Sequence, residues 1–192
     1  MKRFAIVTGI LALATPLALA QTSTWKSDPA HSEVDFSIKH MSLSNVHGRL
    51  GNVAATIALN DADITKSTVT ATIDVSTIDT GVSPRDADLK TDSFFDVAKF
   101  PTATFSSTSV AKSGSGLTVN GNLTLHGVTK PVVLTVEGPT GPVQGMMDHK
   151  PHSGFSATTT LDRTAFGIGT KYGAVILGNE VKLTIELDVA KQ

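Results

Sequence analysis

The side chains able to do chemistry in this sequence are six histidines, many hydroxyls and a few Arg–Asp pairs. Their spacing does not build a catalytic centre. His31, His40, His47 and His126 match no compact metal-ligand motif, and structural hydrogen bonding suits them better than coordination. His149 and His152 sit in a stretch rich in Gly, Pro and Met and read as solvated. The absence of cysteine excludes thiolate-bound zinc, iron–sulfur clusters and a cysteine-linked lipid anchor. Among the serines there is no Gly-x-Ser-x-Gly turn. His31 and Ser32 are neighbours on a predicted strand, so they point to opposite faces and cannot form a nucleophile–base pair. Arg85-Asp86 and Asp162-Arg163 are the strongest charged pairs. Arginine suits recognition of a polar head group, but the same pairs also suit turn-stabilising, charge-assisted hydrogen bonds. The expectation is a protein that is not an enzyme and carries no metal and no cofactor.

Charge narrows the partners. Lys+Arg 16 nearly balances Asp+Glu 17, and no basic cluster follows Lys2-Arg3, which argues against nucleic acid. Met1-Lys2-Arg3 opens a positive start, Phe4 to Leu19 is almost wholly apolar, and Ala18-Leu19-Ala20 supplies the small residues of a cleavage site. Residues 1–20 therefore read as a signal peptide for export to the periplasm. The run is too short, with Pro16 near its end, to read as a stable membrane anchor. Residues 21–192 are expected to form one domain.

The elements that must position these groups are strands. Val34, Phe36 and Ile38 alternate with Glu33, Asp35, Ser37 and Lys39. The pattern repeats at Val53, Ala55, Ile57 and Leu59, and again at Val69, Ala71, Ile73 and Val75. It continues through Ala103 and Phe105; Leu117, Val119, Leu123 and Leu125; Val132, Leu134 and Val136; and Phe155, Ala157 and Leu161. Val181, Leu183, Ile185, Leu187 and Val189 end the series. Asn60-Asp61, Ser113 to Gly116, Gly138 to Pro142 and Gly178-Asn179 read as turns, and Thr140 to Ser153 as a long flexible connection. Ser83 to Lys99 breaks the alternation. Ser83 as cap and Pro84 in the first turn predict a short helical segment near residues 84–92. About eight strands, each apolar on one face, leave a sandwich or a closed barrel. Eight strands close around room for side chains or one small ligand. The inward set mixes Ala with Val and Ile, and the chain has only 8 Phe and 1 Trp. Pattern alone leaves a cavity and a packed Val/Ala core equally open.

The order of several short segments decides further. Trp25 and Asp28 precede His31 to Phe36, Lys39-His40-Met41 and Val46-His47-Gly48. Ile78-Asp79-Thr80, Arg85-Asp86, Leu89-Lys90, Phe94-Phe95-Asp96 and Lys99-Phe100-Pro101 follow. Then come Thr104-Phe105, Ser107-Thr108, the run Gly121 to Pro131, Leu161-Asp162-Arg163, Phe166-Gly167-Ile168 and the strand from Glu180 to Val189. In this order they make the chain resemble the YceI-like family of exported bacterial proteins from about Thr24 onward. The resemblance implies an all-β fold: an eight-stranded antiparallel, lipocalin-like β-barrel with an apolar interior cavity. It also implies a periplasmic carrier that sequesters a polyisoprenoid or similar long-chain amphiphilic lipid, such as an isoprenoid quinone. The rival expectation is a non-catalytic stress-response or interaction module with a packed barrel.

With a cavity, the apolar ligand-binding positions are Phe36 and Ile38; Val53, Ala55 and Ile57; Val69, Ala71 and Ile73; Phe94, Phe95, Phe100 and Phe105; Leu123, Leu125 and Leu134; Phe155 and Ala157; Phe166 and Ile168; and Leu183 and Ile185. His31, His40, Arg85, Asp86, His126, Asp162 and Arg163 are expected to make head-group or structural contacts. Trp25 is expected to plug the barrel base. Two departures from the family pattern fall in the helical segment: Asp88 where His is usual and Ser93 where Asp is usual. A homodimer would suit exposed strand edges or an apolar rim.

Overall fold

The computed structural model describes residues 22–192, so the expected signal peptide lies outside the described residues. In chain order the elements are β1 (Thr22–Ser27), β2 (Glu33–His40), β3 (Ser44–Leu50), β4 (Val53–Asn60), β5 (Thr68–Asp74), α1 (Ser83–Leu89), β6 (Thr102–Ser113), β7 (Gly116–Leu125), β8 (Val128–Gln144), β9 (Pro151–Asp162) and β10 (Leu177–Lys191). All pairings between neighbouring strands are antiparallel.

The strands form one 10-stranded sheet, within which β1-β4-β5-β6-β7-β8-β9-β10 closes on itself as an 8-strand barrel. β10 completes the closure. Its end, Val189 to Lys191, pairs with β1, while Val181 to Glu186 pairs with β2. β1 and β2 thus lie end to end along one edge, and β3 hangs from β2 as a flap. β1 and β3 were not legible as strands, because Thr22-Ser23-Thr24 and Asn45-Val46-His47-Gly48 lack the apolar alternation.

Three further expectations are corrected. Thr140 to Ser153 is mostly not a flexible connection, since β8 and β9 extend into it as a long hairpin. The ladder absorbs Pro139 and Pro142 by shifting register at Glu137/Thr140 and Thr140/Val143, so neither ring needs to donate a bond. Gly178-Asn179 is a register irregularity inside β10, not a turn between strands. The helix ends at Leu89 rather than near residue 92, and its cap is Val82, with no side-chain bond. Ser83 is already helical, Pro84 occupies the first turn, and residues 91–99 continue as hydrogen-bonded turns.

Short turns are held by a repeated Asp-x-Ser/Thr device. Asp63, Asp74 and Asp162 each accept from the backbone N–H two residues on, and from the hydroxyl of Thr65, Ser76 and Thr164. These bonds hold all three carboxyls below the ordinary aspartate range.

One end of the barrel is closed. Trp25 is buried with Ile57 and Val189, and its indole N–H donates to Ser23 Oγ at 2.9 Å. At the other end lie α1, the segment around Phe94, the His126-Gly127 turn and the segment from Arg163 to Ile176.

Candidate functional site

The inner faces of the strands do not meet. They surround a cavity of about 520 Å³ lined almost wholly by apolar side chains, within the size range of small-molecule sites. Two glycines help keep it open. A Cβ at Gly121 would overlap the Phe105 ring, and one at Gly48 would overlap the Phe36 ring. Both rings therefore lie against the backbone of the wall, where any larger residue would push them inward.

Of the apolar positions singled out from the sequence, all but Ala55 and Phe100 line this cavity. Ala55 is buried on β4, but its single methyl does not reach the lumen. Phe100 packs outside it against Gly127 and edge-on to His126, with ring centroids 4.9 Å apart. Trp25 does not line it either. Val119, Val136, Leu161 and Leu187 also line the wall, and simple extension of the alternation finds them. Val46, Tyr172 and Ile176 line it as well but carry no periodic signal, since they come from the flap and from the loop before β10.

The polar positions separate into two groups. His40 and Arg85 reach the cavity, as does Asp88; none of these three is buried. Arg85 is held by Thr80: Nε donates to the hydroxyl at 2.7 Å and Nη2 to the carbonyl at 3.0 Å. Asp86 does not line the cavity; it accepts from the Thr80 N–H and hydroxyl and so anchors the residue that aims Arg85. Among the described residues Asp88 forms no ion pair.

The other polar positions are structural. Arg163 borders the cavity and is only 4% exposed, but its donors are spent on carbonyls. Nε bonds Gly178, Nη1 bonds Ile168 and Gly169, and Nη2 bonds Tyr172 and Leu177, all at 2.7–2.9 Å. Burial lowers its pKa from the ordinary guanidinium value. This one side chain holds the whole loop before β10. His126 Nδ1 bonds the Phe166 carbonyl at 2.9 Å, and Asp162 caps its turn. His31 lies in the turn before β2, not in the strand, and meets Asp28 at 3.0 Å on the outer surface. Ser32 donates to the Asp188 carbonyl and pairs with no base. Ser93 Oγ accepts from Lys171 at 2.9 Å and does not reach the cavity.

His152 was expected to be solvated. Instead its Nδ1 meets Asp188 at 2.7 Å and its Nε2 meets Asp148 at 3.1 Å. The two carboxylates raise its pKa, Asp188 first and Asp148 second. They bond opposite ring nitrogens, so the three groups do not converge on one point.

The fold and site define a class: a closed antiparallel barrel whose chemistry is an apolar hollow with a few polar groups at its mouth. The chain belongs to the YceI-like family, whose domain pattern matches residues 25–189. It is 34% identical to Protein YceI of Salmonella newport over 185 residues, 95% of this chain and 93% of that one. It is 33% identical to a UPF0312 protein of Vibrio cholerae over 171 residues, covering 88% and 89% of the two chains. Among solved structures, the YceI protein of Campylobacter jejuni superposes with a TM-score of 0.71 at 30% identity, over 81% of this chain and 90% of that one. BcnA of Burkholderia cenocepacia gives 0.71 at 25% identity, over 84% and 98%. A polyisoprenoid binding domain from Saccharophagus degradans shares the fold, with a TM-score of 0.63 at 14% identity, over 90% and 100%.

Proposed function

We propose that this protein is a non-catalytic periplasmic carrier that holds the tail of a polyisoprenoid or similar long-chain amphiphilic lipid, such as an isoprenoid quinone, inside its barrel. The observation that carries the proposal is the open lumen of about 520 Å³ with its apolar wall. A polyisoprenoid binding domain of the same fold agrees with it. The apolar leader of residues 1–20, outside the described residues, supports export, with residues 21–192 as the working domain.

At ~30 Å³ per heavy atom the lumen holds on the order of 17 carbons, or about three prenyl units. Each unit contributes about 4 kcal/mol at most, set against ~4–15 kcal/mol for lost freedom. Tail length therefore governs affinity, and branching or unsaturation matters little.

The mouth sets the head group. Arg85 offers its remaining donors and Asp88 offers a carboxylate, so the two charges cancel. An uncharged head with both acceptor and donor, such as a hydroxyl, suits this pair. A phosphate would meet the Asp88 charge.

The test is solvent extraction of the purified protein followed by mass spectrometry. A prenyl-chain lipid near one per chain is expected. An empty extract, together with no uptake of geranylgeraniol by the stripped protein, would overturn the proposal.

A further inference from the structure

Several large apolar residues are exposed, and four of them, Met41, Leu43, Val175 and Ile176, meet beside the cavity. Met41 and Leu43, on the β2–β3 turn, are 49% and 81% exposed; Val175 and Ile176, in the loop before β10, are 71% and 47% exposed. The two turns are tied together, with the Met41 N–H donating to the Ile176 carbonyl at 2.8 Å and Ser42 Oγ to that of Val175 at 3.4 Å. Arg163 fixes the second turn from behind through the Tyr172 and Leu177 carbonyls. His40 and Ile176 also line the cavity, so the apolar tip is continuous with its mouth.

We infer that this tip docks the barrel onto a lipid bilayer, where the cavity fills and empties. The docking role rests on the proposed lipid cargo. A tail that leaves the bilayer through an apolar rim need not cross water, which would expose its whole apolar surface. Four side chains on two turns are too few for a stable second copy, because a standard interface uses about 20–30 residues a side. The tip itself, Met41 to Leu43 with Val175 and Ile176, carries no charged side chain, so apolar insertion rather than head-group charge drives the contact.

The experiment is flotation of the protein, supplied with geranylgeraniol, with phosphatidylcholine vesicles. Two variants are compared: Leu43→Asp with Val175→Asp at the tip, and Met146→Ser with Met147→Ser on the β8–β9 turn. Those methionines are 93% and 95% exposed, at the end remote from the mouth. Wild type and the methionine variant should float alike. The tip variant, supplied with geranylgeraniol in the same way as wild type, should lose at least tenfold in vesicle association, with unchanged mass by light scattering. Docking is overturned if wild type stays unbound, if the tip variant floats equally, if the methionine variant loses as much, or if the tip change converts a dimer to a monomer. Loss at the tip with an empty wild-type extract and no geranylgeraniol uptake by wild type would leave docking standing and remove the cargo proposal. Bound lipid without vesicle association would do the reverse.

Discussion

Replacing Ala157 by phenylalanine asks whether the barrel is hollow. Ala157 lies on β9 opposite Val136 and Ile185, is 7% exposed and lines the lumen, as do both partners. The substitution adds six ring carbons, roughly 180 Å³ at ~30 Å³ per heavy atom, about a third of the cavity of about 520 Å³. A ligand that loses room for as many carbons loses up to about 5 kcal/mol. Bending of the tail recovers part of this, so at least a tenfold loss of affinity is expected. Stability should move the other way. In a filled core such overpacking costs about 1–3 kcal/mol, whereas in a lumen the ring buries apolar surface without strain. Thermal unfolding of the stripped protein should show an unchanged or higher Tm, and extraction should show less lipid per chain. A lower Tm with full lipid load would mean that the site is packed and the lumen does not hold the tail.

Arg163→Ala should destabilise the fold by about 3–5 kcal/mol, because it strands several buried carbonyls at once; a urea midpoint within error of wild type would refute that role. The carboxylates raise the folded pKa of His152, so its contribution is complete below its unfolded value of about 6.5 and is lost as pH rises through the folded value. Intrinsic-rate-corrected amide exchange at residues 145–150 should therefore be slower at pH 6 than at pH 8.5, and His152→Gln should remove the difference. Asp88→His should admit prenyl phosphates that wild type excludes, read by competition against geranylgeraniol; unchanged discrimination would clear Asp88 of that role.

Much of the barrel is written locally. In a strand, side chains alternate between two faces, so Val53/Ile57, Leu123/Leu125 and Leu183/Ile185 declare their inward side without reference to any partner. The three Asp-x-Ser/Thr turns are equally local, since the carboxylate bonds only its own next residues. What alternation cannot express is the distance across the barrel. Whether Val and Ala fill a core or line a hollow depends on closure, which β10 achieves by pairing with β1 from the far end of the chain. The mouth is the same kind of decision. Arg85 and Arg163 look alike as sequence, yet tertiary structure spends one on five carbonyls and leaves the other facing the lumen. Met41 and Ile176 become one apolar tip only because two distant turns are hydrogen-bonded to each other.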